Sequence, residues 1–334
     1  MNSRVAAFIR RRWRVREGAV AVETAPLQGG LESAVSVARI TNTDAHPSIP
    51  RRLIVKELQP GFEREALIYE LLWRHLKQPP AVHLLGRQLA ERATYLYLEE
   101  AQSFSAWPWG DSGLSAAVCR ELARLHDSTE LPAETFSWDY ERQLACSAEE
   151  TLKVAMTARD AGGRRYWKRI GDLKRMVAGL PTLRAHLLSA ERTVIHGDMH
   201  PGNVIVRQAN PRPDVVLIDW ARARIGSPLE DLASWIHSLG CWEPEARRRH
   251  DTLMRAYLNA RAFRRPLDAR LRLRYWLASV SNGLSGSIRY HLAVLTDRES
   301  ARPEVANSHQ ALATWQRIVR RSAALAGASL RACA

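Results

Sequence analysis

The segment Val194-Ile195-His196-Gly197-Asp198-Met199-His200-Pro201-Gly202-Asn203-Val204-Ile205-Val206, followed by Val215-Val216-Leu217-Ile218-Asp219-Trp220, decides the reading of this 334-residue chain. Its short apolar runs have the β-branched bias of buried strands, so the polar residues between them fall on loops. Asp198, Asn203 and Asp219 are thereby delivered to neighbouring loop positions. One carboxylate beside two further oxygen donors is what a general base and a hard-cation site require.

At average residue usage the fixed identities His196, Gly197, Asp198, His200 and Asn203 arise by accident in about one chain of this length in several thousand. These residues resemble the catalytic loop of the aminoglycoside phosphotransferase and choline kinase superfamily. The resemblance implies an α+β, protein-kinase-like, two-lobed fold. A small N-lobe sheet with one main helix is expected over residues 1–101, and a larger, mostly helical C-lobe over 102–334. It also implies ATP or GTP as phosphoryl donor, magnesium as cofactor, and the hydroxyl of an aminoglycoside, amino alcohol or sugar-like molecule as acceptor.

Phosphoryl transfer asks a protein mainly to hold phosphates, metal and acceptor in line and to neutralise developing charge. Asp198 is the candidate base, and Asn203 and Asp219 offer the oxygen ligands that magnesium prefers. His196 and His200 are poor magnesium ligands and are assigned to shaping the loop by hydrogen bonds. Asp231, within Ser227-Pro228-Leu229-Glu230-Asp231, matches the family position whose carboxylate accepts from backbone amides of the catalytic loop. Lys56 and Glu65 resemble the ion pair that positions nucleotide phosphates, with Glu70 as the alternative partner. Gly29 and Gly30, between two strands, would let backbone amides approach phosphates, and Glu99-Glu100-Ala101-Gln102 would be the hinge between lobes, with Glu99, Glu100 and Ala101 expected at the nucleotide.

Along the chain, Ala19 to Leu27, Ala34 to Ile40, Arg52 to Leu58 and Tyr95 to Leu98 read as strands. Phe62 to Leu76 reads as a helix with Leu67, Ile68, Leu71, Leu72 and Leu76 on its apolar face. Leu114 to His126 is a second helix, with Leu114, Val118, Leu122 and Leu125 inward. Tyr257, Leu273, Trp276, Leu277, Val280 and Leu284 are read as core. Asp127 to Asp160 holds eight acidic residues against Arg142, Lys153 and Arg159, a net charge of −5 in a chain whose overall formal charge is +14. That segment suits a cationic acceptor, although acidic helices are usually solvated faces.

Departures from the protein-kinase pattern narrow the acceptor. Gly197 stands where protein kinases have arginine, and only Trp220 to Glu230 separate Asp219 from Asp231. No Ala-Pro-Glu follows, so no shelf for a protein substrate is expected. Arg222 occupies ground where an acid is common in the superfamily, which removes a second acidic contribution there.

Composition excludes several classes. No apolar run approaches the roughly 18 to 20 residues of a membrane span. Cys119, Cys146, Cys241 and Cys333 form no CxxC or Cys/His cluster, which argues against a disulfide framework or zinc site and for a reducing, cytoplasmic setting. Arginines gather from Arg4 to Arg16 and from Arg247 to Arg274, without the interleaved aromatics of an RNA-binding module, so specific nucleic-acid binding is not expected. The alternative reading is a catalytically silent, kinase-like binding protein using that basic surface. Oligomeric state is not legible.

Overall fold

Antiparallel pairing organises the N-terminal part of the computed structural model, which describes residues 1–27, 33–42, 47–91, 93–128, 136, 138–208, 211–262, 266–297 and 301–332. Strands β1 (Val20–Pro26), β2 (Ser33–Asn42), β3 (Arg52–Leu58), β4 (Leu84–Leu89) and β5 (Thr94–Glu99) form one sheet in the order β1-β2-β3-β5-β4. The register places Val35, Lys56 and Leu96 in line across its three central strands. Helix α2 (Arg64–His75) links β3 to β4. Of its expected apolar face Ile68, Leu71 and Leu72 are buried, whereas Leu67 is 38% exposed.

The first unit contains a second helix, α1 (Asn2–Trp13), where the sequence reading placed one main helix. Val5, Phe8 and Ile9 recur at helical spacing and enter the same core as Ala38, Leu53, Val55 and Tyr97. Phe8 stacks on Tyr97 with ring centroids 3.7 Å apart. The arginines after this patch occupy the last turn, where cations complement the helix dipole.

The chain divides into two compact units, and the first is discontinuous: Met1–Ala106 together with Ile205–Arg222. The returning segment carries strands β7 (Val204–Gln208) and β8 (Asp214–Leu217), which pair with each other. Leu217 bridges Ala81, and the Phe104 amide donates to the Val206 carbonyl at 3.0 Å. These contacts bring Asp219 into the first unit.

The second unit, Trp107–Val204 with Ala223–Ala334, is mostly helical. Its helices are α3 (Ser112–His126), α4 (Tyr140–Thr157), α5 (Ile170–Ala178), α6 (Leu180–Leu188), α7 (Pro228–Trp242), α8 (His250–Ala260), α9 (Ala269–Asn282), α10 (Ile288–Thr296) and α11 (Arg302–Ala332). Asp111 caps α3 by accepting from the amides of Gly113 and Leu114. Leu114, Val118, Leu122 and Leu125 all face inward. Leu277, Val280 and Leu284 join a large core with Leu144, Trp167, Leu292, Trp315 and Val319. Two short strands, β6 (Thr193–Ile195) and β9 (Arg224–Gly226), pair antiparallel and frame the loop that begins at His196.

Among the described residues Cys119, Cys146 and Cys241 are free thiols. Among them too, no helix is long and apolar enough to cross a membrane.

Candidate active site

In the first unit, β3 presents Lys56 to Glu65 on the opening turn of α2. The Lys56 ammonium donates to Glu65 Oε1 at 2.9 Å and lies 2.8 Å from Oε2. It also donates to Asp219 Oδ1 at 2.9 Å. Glu70, the other acid available in α2, pairs instead with Arg87 at 3.0 Å. Burial disfavours the charge on Lys56, but Glu65 and Asp219 outweigh it and raise its pKa. Burial lifts the Glu65 carboxyl to about 7 against the pull of Lys56.

Asp219 sits at φ 63, a left-handed conformation that aspartate tolerates better than most residues. Its side chain is 41% exposed although Oδ1 is held by Lys56. Glu99 and Glu100 are engaged elsewhere: Glu99 lies 3.5 Å from Arg207, and Glu100 pairs with Arg52 at 2.6 Å. Ala101 follows them beyond the last ladder pair, Leu53 with Glu99. Gly29 and Gly30 lie outside the described residues.

In the second unit the loop after β6 is held from beneath by Asp231, which is fully buried near the start of α7. Its Oδ2 accepts from the His196 amide at 2.7 Å, and its Oδ1 from the Gly197 amide at 2.8 Å. Gly197 adopts φ 82, a conformation that favours glycine, and this lets two successive amides turn toward one carboxylate. Burial works against the charge on Asp231, but bonds from His126 and Gly197 bring its pKa below the ordinary aspartate value.

The histidines shape the loop through their ring nitrogens. His196 Nδ1 accepts from the Asp198 amide at 3.3 Å. His200 Nδ1 accepts from the Gly202 amide at 3.1 Å, so its ring proton sits on Nε2, which is 4.0 Å from Asp198 Oδ2. Asn203 donates its side-chain amide to the Asp198 carbonyl at 2.9 Å, so its Oδ1 is the end that a cation would meet. The Asp198 side chain is 40% exposed. No group of three or more His, Cys, Asp or Glu able to hold a metal occurs among the described residues. A magnesium ion that takes most of its ligands from phosphate and water does not need one.

Several residues that support this loop escaped the sequence reading. His126, at the end of α3, places Nε2 3.1 Å from Asp231 Oδ2 and Nδ1 2.8 Å from the Tyr257 hydroxyl. Glu230, adjacent to Asp231, accepts from Arg184 at 2.8 Å and Arg224 at 2.9 Å, and its other oxygen takes the Ser227 amide at 3.0 Å. Burial opposes its charge, yet the two guanidinium groups keep its pKa low. Arg224 also lies over the Tyr140 ring at 3.5 Å. The only local signal for this group was the capping-box spacing of Ser227 and Glu230.

Among the described residues, four acids of the 127–160 segment serve ion pairs within the unit: Asp127 with Arg261, Glu141 with Arg184, Glu150 with Arg289 and Asp160 with Arg164.

The model of the phosphotransferase enzyme family matches residues 24–276. The structure is similar to that of choline kinase from Cryptosporidium parvum, at 10% identity, 98% coverage of each chain and a TM-score of 0.64. It is also similar to a choline/ethanolamine kinase family protein from Mesorhizobium loti, at 18% identity, covering 96% of this chain and 98% of that one, with a TM-score of 0.59. Spectinomycin phosphotransferase, in complex with ADP and spectinomycin, aligns at 10% identity over 96% of this chain and 98% of that one, with a TM-score of 0.57. No curated protein matches the chain by sequence. At these identities the likeness carries the fold, which is the kinase-like α+β arrangement expected from the loop.

Proposed function

The chain belongs to the phosphotransferase enzyme family, and from that premise we propose that it transfers the γ-phosphoryl group of ATP to a hydroxyl of a small molecule. The observation that carries this reading is the loop held by Asp231, which presents a half-exposed Asp198 carboxylate beside Asn203. Asp198 orients the acceptor hydroxyl and takes its proton as the oxygen attacks phosphorus. Asn203 and Asp219 would each offer magnesium an oxygen, and the ion would supply charge that neutralises the phosphate oxygens. Lys56, kept protonated by Glu65 and Asp219, binds the phosphates.

The backbone of Glu99 to Ala101 would support the nucleotide base, and Gly29 and Gly30, outside the described residues, would let backbone amides approach the phosphates. A small acceptor is favoured because only Trp220 to Glu230 lie between Asp219 and Asp231, too little chain for a peptide-docking segment. Cationic amino alcohols and aminoglycosides are the first classes to test, since similar structures include a choline/ethanolamine kinase family protein and an aminoglycoside-3'-phosphotransferase.

The test is ATP consumption across a panel of aminoglycosides, choline-like alcohols, sugars and phosphosugars, with Asp198→Asn as control. Turnover of the responding acceptor should fall by about 10²-fold or more in that variant. Equal turnover in wild type and variant would overturn the assignment of Asp198. A silent binding protein would bind ATP without consuming it against any acceptor.

A further inference from the structure

Behind Asp231 runs a chain of side chains that the phosphoryl-transfer reading does not use. His126 Nε2 lies 3.1 Å from Asp231 Oδ2, and His126 Nδ1 lies 2.8 Å from the Tyr257 hydroxyl. That hydroxyl is 2.7 Å from Arg261 Nη1. The Arg261 Nε donates to Asp127 Oδ1 at 2.6 Å, and its Nη2 donates to Glu191. Asp127 Oδ2 in turn accepts from the Ala262 amide at 2.6 Å. Residues 105 and 131 positions apart are thus joined end to end in the interior of the second unit.

With the His126 ring neutral, the direction of each bond in this chain follows from chemistry. A guanidinium only donates, so the Tyr257 oxygen accepts from Arg261. Tyr257 is 1% exposed, and burial pushes its pKa well above the ordinary value, so the phenol keeps its hydrogen. That hydrogen has His126 Nδ1 before it at 2.8 Å. Nδ1 therefore accepts, and the ring proton lies on Nε2, pointed at Asp231. Were the proton on Nδ1, the Nε2 lone pair would face a carboxylate that already takes the His196 and Gly197 amides. The donor sequence runs from Arg261 to Tyr257 to His126 to Asp231, whose carboxylate also accepts from the His196 and Gly197 amides on its other side.

We propose that Tyr257 and Arg261 are positioning residues for the phosphoryl-transfer loop, acting by locking His126 in its Nε2–H tautomer so that Asp231 is held beneath the His196 and Gly197 amides. The consequence for catalysis rests on the transfer reading above, whereas the tautomer lock does not. Asp127 and Glu191 aim the Arg261 fork, and the fork aims the phenol. Although Tyr257 occupies a core position, its hydroxyl is the part that matters to the loop.

The test uses the full chain labelled with ¹⁵N. In wild type the His126 imidazole should show a protonated Nε2 and an unprotonated Nδ1, with slow hydrogen exchange at the His196 and Gly197 amides. Tyr257→Phe should give a tautomer mixture at His126 and faster exchange at both amides. With an acceptor from the panel, it should lower kcat by about 10- to 100-fold while changing KM for ATP less than twofold. His126→Gln supplies a side-chain amide that donates to Asp231 without needing a tautomer. In that background, adding Tyr257→Phe should cause no further loss.

An unchanged Nε2–H signal and unchanged amide exchange in Tyr257→Phe would overturn the proposal. So would an equal loss from Tyr257→Phe in both backgrounds. If the tautomer and exchange responses appear but no acceptor is ever phosphorylated, the lock stands and the transfer reading falls.

Discussion

Replacing Asp231 with Asn keeps the side-chain shape and exchanges one carboxylate oxygen for an NH₂ group. In the favourable orientation the remaining oxygen takes the place of Oδ2 and keeps the His196 amide at 2.7 Å and His126 at 3.1 Å. The new NH₂ then faces the Gly197 amide, which donated to Oδ1 at 2.8 Å, so two donors oppose each other in a fully buried site. A lost hydrogen bond to a charged group is worth about 1.5–3 kcal/mol, and the orphaned buried donor costs about 1–3 kcal/mol, partly the same energy counted twice. The expected destabilisation is about 3–5 kcal/mol.

The sign of its pH dependence follows from the depressed pKa of Asp231. Because the folded value lies below the ordinary 3.8, the carboxylate's contribution is fully present above that pH and fades as pH falls through the folded value. Urea denaturation followed by tryptophan fluorescence should therefore give a deficit that is constant from about pH 8 to 5 and shrinks only in stronger acid. A deficit below about 1 kcal/mol at neutral pH would refute the view that this carboxylate holds the loop.

Gly226→Ala places a Cβ 2.5 Å from Ile195 Cδ1 and 2.8 Å from Glu230 Oε2, and overpacking of that kind should cost about 1–3 kcal/mol in the same denaturation assay. His237, buried beside Ser279, has its pKa lowered to about 3 by burial, with His250 and Arg317 adding to the effect. Its neutral form is favoured in the folded state, so stability is fully present above the ordinary 6.5 and falls as the pH drops toward 3. By pH 5 the loss attributable to this ring is about 2 kcal/mol, and thermal melts of His237→Asn should decline less between pH 7 and 5 than those of wild type. Parallel declines would remove His237 as the cause.

What the sequence could disclose followed the range of its interactions. The residues of the loop from His196 to Asn203 lie within a few positions of one another, and their spacing between β-branched runs survives any change of surroundings. Lys56 and Glu65 are nine residues apart, close enough for the strand-to-helix reading to narrow the partner to two acids. Strand β4 was missed because Leu84 to Leu89 contains Gly86 and is half exposed, which blurs the alternation a strand would show. Helix α1 was missed because a five-residue apolar patch followed by three arginines carries too few periods to declare itself.

The support beneath the loop was illegible for another reason. Tyr257 read correctly as core, yet nothing local marks a phenol whose partner is 131 residues away. Arg224, Glu230 and Arg184 likewise look like surface charges until folding buries them together. Fold class depends on local periodicity, whereas tautomers and buried ion pairs depend on what the tertiary fold sets side by side.

The discontinuity of the first unit has a bearing on how the chain is made. Lys56 and Glu65 emerge early in synthesis, but Asp219, which completes their triangle, follows only after residues 107–204 have been produced. A ribosome-bound chain ending at Ala106 has the five sheet strands but lacks the β7–β8 hairpin and the Asp219 turn. Closure of the triangle of Lys56, Glu65 and Asp219 is thus a late event, and a fragment truncated before residue 205 cannot stand in for the unit. Translation order and domain order do not coincide in this protein.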